Sequence, residues 1–290
     1  MLTREELQKK FASGVRFLDG ATGSNLQKAG MPRGCCTEKW ILENPQALIS
    51  LQQSYRDAGS QILYAPTFQA QPIALERVGL AEDTEQINEQ LVRLTRSACP
   101  ECLVAGNLTT LAAFTDSFDE GNFDLLVDNY RRQIKGLLAG GADLLAAETL
   151  MYPLEAEAIL TAAELEGAEA VLYTFTMQSD GSLFSGRDAG AVLRELEDAG
   201  AAAVGFNCVA ADMMTPYLVS KLRRSVRCPL IAKPNAGIPV IGADNLPHYP
   251  MEPEEFGDIL AQCRNMGATV FGGCCGTDPR FIAAVKERLG

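Results

Sequence analysis

Histidine is almost missing from these 290 residues, with His248 the only one. That scarcity excludes His-rich metal sites and Ser-His-Asp triads. His248 itself falls in a long loop, where a solvated or loop-packing role is expected. Tryptophan is as scarce, and Trp40 is expected to pack a helix near the entrance of a site. No run of about 18 apolar residues occurs, so no segment reads as a membrane-spanning helix. No basic stripe occurs either. The formal net charge is −12, which makes nucleic acid and anionic membrane poor partners. The opening MLTREELQKK has no apolar core, so no secretory signal is expected. No linker, low-complexity tract or charge block divides the chain, so one domain over residues 1–290 is expected.

Cysteine, by contrast, is plentiful, with nine residues. An odd count in a long chain without a signal argues for thiols in a reducing, cytoplasmic setting rather than a disulfide framework. The composition is 47% hydrophobic and 21% charged, enough to bury a large core.

A short pattern recurs along the chain. A helix ends in small residues and Gly, and an apolar run follows that stops at a polar or thiol residue. Gly59, Gly141, Gly200 and Gly267 each stand eight residues before Thr67, Thr149, Cys208 and Cys275. Gly is favoured just past a helix end, and short Val/Leu/Ala runs read as parallel strands buried on both faces. Eight such runs occur: Val15–Asp19, Ile62–Thr67, Leu103–Leu108, Leu144–Thr149, Ala170–Thr176, Ala203–Cys208, Leu230–Asn235 and Thr269–Cys274. Helices are predicted over Pro45–Ala58, Phe123–Ala139, Tyr152–Leu165, Asp188–Ala199, Met213–Ser225, Pro253–Met266 and Pro279–Leu289, with Asn44 as the cap of the first. This alternation predicts an α/β fold, a single-domain (β/α)8 TIM barrel. An open doubly wound sheet is the alternative, but no GxGxxG follows the first strand. The Pro/Gly-rich loop Gly237–Tyr249 follows the seventh strand and is expected over the top face.

The strand ends collect Asp19, Thr67, Asn107, Glu148, Thr176, Asn207, Cys208, Asn235, Cys274 and Cys275. Barrel enzymes keep their chemistry at that end. Cys208, Cys274 and Cys275 admit two readings, as inert core thiols or as a metal set. Gly272, Gly273 and Gly276 favour the second, because they let the backbone turn sharply around the adjacent pair. Three thiolates suit zinc and leave one corner open. Such an electron-rich ion suits capture of another thiol as thiolate, ready to attack an activated methyl group. Asp19 and Glu148 would then hold the ammonium of an amino-acid substrate, although a turn-capping role is open for Asp19. Cys99 and Cys102 have CxxC spacing without a second pair, and Cys35–Cys36 lies outside the strand ends, so neither carries an assignment. Cys228 and Cys263 are expected in the core.

LDGATGSNLQ, YAPTF, AAET, GFNC, KPNAG and FGGCCGT together resemble the homocysteine S-methyltransferase family over nearly the whole chain. The resemblance implies a (β/α)8 barrel, Zn2+ on Cys208, Cys274 and Cys275, and homocysteine as methyl acceptor. It implies ammonium binding by Asp19 and Glu148, and a place beside the metal for Asn235, which would fill the open corner before substrate arrives. Thr67 joins them as a candidate substrate contact. Within the family, the CTEKW–ENP segment and the YAPTF strand most resemble the homocysteine module of cobalamin-dependent methionine synthases. No folate- or cobalamin-binding segment lies within the 290 residues, so methylcobalamin on a separate corrinoid protein is the expected donor. S-methylmethionine or S-adenosylmethionine is the alternative, and betaine comes third. Thr149 stands where betaine-type members tend to carry Tyr. A methyltransferase for another small thiol, and a non-catalytic thiol-binding module of the same fold, are further readings.

Overall fold

The computed structural model describes residues 1–114, 120–178, 180–242 and 247–290. Eight parallel strands form one sheet: β1 Arg16–Phe17, β2 Ile62–Tyr64, β3 Leu103–Thr109, β4 Leu144–Leu150, β5 Val171–Phe175, β6 Ala203–Ala210, β7 Leu230–Asn235 and β8 Val270–Phe271. Each strand pairs with its sequence neighbours, and β8 pairs with β1. A parallel bridge between Leu18 and Ile62 joins β1 to β2 and closes the ring. The protein is a (β/α)8 barrel, with helices outside the strands.

The strands show little hydrophobic alternation because both of their faces are buried. Inward residues such as Ile62, Ala105, Leu144, Ala146, Leu172, Ile231 and Val270 fill the barrel. Their neighbours Val104, Leu145, Ala147, Tyr173, Phe206 and Phe271 pack outward against the helices. Leu7 and Phe11, from the helix Arg4–Ala12, join the inner cluster and plug the bottom of the barrel. Only the top is left for a cavity.

The helix-ending glycines behave as the spacing predicts: Gly59, Gly141, Gly200 and Gly267 have φ of +111°, +85°, +110° and +107°. Several boundaries differ from expectation. β1 and β8 are two-residue strands, and the chain leaves β8 at Phe271, so Cys274 and Cys275 lie on the turn beyond it. Asn44 occupies the cap position, but its amide donates to Trp40 O at 3.0 Å instead of capping. The helix Thr84–Ala98, between β2 and β3, was not among the predicted ones. It buries Ile87, Leu91, Val92, Thr95 and Ala98, and its polar Asn88 and Thr95 on the buried side obscure the apolar stripe. Of the Gly237–Tyr249 loop, residues 243–246 lie outside the described residues; Val240–Ile241 and Pro247–His248 pair as a short antiparallel ribbon.

Gly205 marks the tightest approach of β6 to β7. A methyl group there would collide with the backbone carbonyl of Ile231. Backbone atoms inside a closed barrel cannot move aside independently. Gly205→Ala is therefore expected to lower the unfolding free energy by roughly 2–3 kcal/mol, read as an earlier urea midpoint. An unchanged midpoint would show that the β6–β7 spacing can relax.

Candidate functional site

A cavity of about 350 Å³ opens at the C-terminal ends of the strands. Its walls include Asp19, Tyr64, Asn107, Glu148, Thr149, Cys208, Lys233, Cys274 and Cys275. Strand geometry explains much of this set. Side chains two residues apart share a face. Asn107 follows inward Ala105, Glu148 follows inward Ala146, and Lys233 follows inward Ile231. The polar layer is the apolar interior continued upward by one step.

Cys208 and Thr149 break that rule. Both are non-glycine residues with positive φ, +56° and +59°. Each sits at a register shift, in β6 between Asn207 and Ala210 and in β4 between Ala147 and Leu150. The irregularity lets Cys208 reach the cavity while its neighbour Asn207 also serves it. Such conformations cost of order 1–3 kcal/mol each and persist where the surroundings impose them. Asn207 supplies that constraint. Its Oδ1 accepts from Thr149 N at 2.7 Å, and its Nδ2 donates to Thr149 Oγ1 at 2.7 Å.

The sulfurs of Cys208, Cys274 and Cys275 lie within 4.8 Å of one another, and Cys208 and Cys275 are 3.8 Å apart. The turn after β8 is pinned at several points. Cys274 N donates to Pro234 O at 2.8 Å, Cys275 N donates to Asn235 Oδ1 at 3.0 Å, and Thr277 Oγ1 donates to Cys274 O at 2.8 Å. Tetrahedral zinc–sulfur bonds of about 2.3 Å put sulfurs about 3.8 Å apart, so the donor set and spacing fit one such ion. Among the described residues no fourth Cys, His, Asp or Glu joins the group. Without a cation the thiols must share protons. Hydrogen bonds with Cys208 and Cys274 favour the thiolate at Cys275, whereas its bonds with Cys274 and Cys275 hold the proton on Cys208.

Asp19 caps no helix or turn. Its Oδ2 accepts from Tyr64 N at 2.8 Å, while its buried Oδ1 has no partner within the protein. Burial pushes its pKa up to about 7, against the opposing pull of Lys233 and the Tyr64 N–H. Glu148 is fully engaged. Oε1 accepts from Asn107 Nδ2 at 2.8 Å, and Oε2 accepts from Lys233 Nζ at 3.0 Å and Asn207 Nδ2 at 3.4 Å. Lys233 is 3% exposed and lies 4.9 Å from the Tyr64 ring centroid. Burial works against its ammonium, but Glu148, Cys274 and Asp19 outweigh that effect and hold the proton firmly.

The structure does not bring every candidate residue to the cavity. Thr67 is 0% exposed, and its hydroxyl donates to Asn107 O at 2.8 Å and accepts from Asn107 N at 3.0 Å. It fastens Asn107 from behind and is not part of the cavity wall. Asn235 touches the backbone of Cys275, and it too lies outside the wall. Conversely, Lys233 and Asn107 belong to the site although the sequence reading gave neither a role; Asn107 was named at a strand end, and counting two residues from Ile231 would have found Lys233. Tyr249, from the loop after β7, covers Gly276 with its ring and hydrogen-bonds the Cys275 sulfur through its hydroxyl. The other cysteines are separate. Cys99, Cys102, Cys228 and Cys263 are buried, and burial raises Cys102 and Cys228 to about 11 and Cys263 to about 12.

A family model described as homocysteine S-methyltransferase matches residues 16–289. The homocysteine S-methyltransferase of Escherichia coli (strain K12) is 29% identical over 94% of this chain and 95% of its own length. The methionine synthase of Mycobacterium leprae is 27% identical over 98% of this chain, which spans about a quarter of that relative's length (25%). The metallated crystal form of the Escherichia coli homocysteine methyltransferase MmuM superposes with a TM-score of 0.82 at 27% identity, covering 95% of this chain and 96% of that one. With almost its whole length matched by that model, the chain belongs to the homocysteine S-methyltransferase family.

Proposed function

We propose that this protein transfers a methyl group to the thiol of homocysteine, giving methionine, with the whole of residues 1–290 acting as one zinc-dependent barrel. The observation that carries this reading is the convergence of three sulfurs on a cavity that Asp19 and Glu148 also line. That pairing matches the two ends of a thiol amino acid. Cys208, Cys274 and Cys275 would hold Zn2+, which when bound would supply a cation that deprotonates an incoming thiol at neutral pH. Asp19 and Glu148 form the acidic end that takes the substrate ammonium. The cavity walls fix the distance between the two ends, so the sulfur is oriented before the donor arrives. Tyr249, over the Cys275 side, screens that sulfur from solvent.

The donor we favour is methylcobalamin carried by a separate corrinoid protein. A small sulfonium such as S-methylmethionine or S-adenosylmethionine is the second reading. Single-turnover assays with each donor distinguish them: transfer from a sulfonium but not from a methylcorrinoid protein would overturn our choice. Nine unpaired thiols suit the reducing cytoplasm, and no described helix is long and apolar enough to cross a membrane.

Two outcomes test the core of this reading. Wild-type protein should bind about one zinc per chain, and Cys208→Ser should lose most of that zinc and methyl transfer while keeping its far-UV circular dichroism. Full activity in a zinc-free Cys208→Ser protein would contradict it. The second outcome concerns pH. Asp19 attracts an ammonium only when ionised, and its pKa lies near 7. The KM for homocysteine should therefore rise as pH falls from about 8 to about 6. In Asp19→Asn the KM should be raised throughout and its rise should shrink to the part caused by release of the thiol proton. A wild-type-like pH profile in the variant would remove Asp19 from the site.

A further inference from the structure

Three buried polar atoms on residues of the cavity wall have no partner within the protein: the Ser24 hydroxyl, which can donate as well as accept, and two pure acceptors, Asp19 Oδ1 and Asn107 Oδ1. Asp19 and Asn107 are 2% and 4% exposed. A buried acceptor left unpaired costs about 1–3 kcal/mol, so such atoms beside a cavity mark where a donor is missing. Asp19 was expected to bind the ammonium, whereas Asn107 was named only as a strand-end residue without a role.

The orientation of Asn107 follows from its neighbours. An ionised carboxylate only accepts hydrogen bonds. Glu148 Oε1, 2.8 Å away, therefore requires the amide nitrogen, and the amide oxygen is turned away from it. Glu148 is itself fixed by the Lys233 ammonium at 3.0 Å on its other oxygen. The backbone of Asn107 is held as well: Thr67 Oγ1 bridges its N–H and C=O, and Gln133 Nε2 donates to its C=O at 3.2 Å. Four residues, on β4, β7, the helix Phe123–Ala139 and the loop after β2, thus set one acceptor atom.

We propose that Asn107 is a substrate-binding residue, its Oδ1 sharing the homocysteine ammonium with Asp19 Oδ1, and that the Lys233–Glu148 pair is the positioning element that aims it. This rests on the reading that homocysteine is the acceptor. Glu148 contributes negative charge to the acidic end, and three of its roughly four acceptor positions are already taken, whereas Asp19 Oδ1 and Asn107 Oδ1 have no partner at all. The assignment also gives a function to Lys233, which otherwise places a positive charge beside a site that must bind a cation.

The test compares homocysteine with 4-mercaptobutanoic acid, which has the same thiol and carboxylate but no ammonium. Binding of both to the zinc-loaded protein is measured by calorimetry. Wild type should prefer homocysteine by at least about tenfold, as a charge-assisted hydrogen bond supports. Asn107→Ala should weaken homocysteine roughly tenfold and leave 4-mercaptobutanoic acid within about twofold. Lys233→Met should shrink the same preference, an effect that a purely structural lysine would not produce, since loss of shape weakens both ligands alike. Zinc content and thermal melting report whether each variant folds. If Asn107→Ala does not load zinc, Asn107→Ser, which keeps a donor for Glu148, replaces it. A wild-type preference that persists in the Asn107 variant overturns the role of Asn107. A preference that persists in Lys233→Met overturns the positioning role. If wild-type, zinc-loaded protein binds neither thiol, the homocysteine reading itself fails, and this outcome is distinct from the other two.

Discussion

Burial of charge at the top of a closed barrel is the constraint on which the rest of this structure depends. Three carboxylates (Asp19, Glu38 and Glu148), one ammonium and three thiols border a single cavity, in surroundings where an isolated charge is costly. The 3.0 Å contact between Lys233 and Glu148 makes that arrangement tenable. Removing one partner of such a pair leaves the other uncompensated. Around this pair the polar layer is knitted together by Asn107 and Asn207, which reach Glu148 from either side. Asn207 then holds the positive-φ Thr149 and stands next to Cys208. The ion pair, the strained strand ends and the sulfur cluster are one connected network.

The network also separates the thiols by role. Cys99, Cys102, Cys228 and Cys263 are buried among apolar groups and remain protonated, so they pack as small hydrophobes. The three site cysteines have the opposite surroundings: each faces the other sulfurs and the cavity, and the buried Lys233 ammonium acts on Cys274 and Cys275. The backbone creates this difference. A register shift turns Cys208 inward, and the turn beyond β8 presents Cys274 and Cys275 together.

Much of the fold was legible because the barrel repeats one simple unit. The glycine-to-strand-end spacing marked four strands, the short apolar runs located all eight, and the β7 boundaries Leu230–Asn235 matched the structure. The short β1 and β8 were overextended, since the predicted runs continue on either side of two-residue strands, as at Val15 and Gly272. Thr84–Ala98 escaped notice because its buried face carries Asn88 and Thr95. In the site, the cysteines and carboxylates stood out by residue type. Lys233 and Asn107 did not, because their importance lies in partners contributed by other strands. Thr67 shows the converse: a polar strand-end residue whose hydroxyl is consumed by a neighbouring backbone. Residue type shows where chemistry is plausible, but hydrogen-bond saturation decides which atoms remain open to a ligand.

The central claim is that three cysteine sulfurs hold a zinc whose remaining corner takes the substrate thiol. X-ray absorption at the zinc edge reads that corner directly. In zinc-loaded protein without substrate, the first shell should contain the three sulfurs of Cys208, Cys274 and Cys275 and one lighter atom. On addition of homocysteine the lighter atom should give way to a further sulfur at about 2.3 Å. A first shell that homocysteine leaves unchanged would contradict the account.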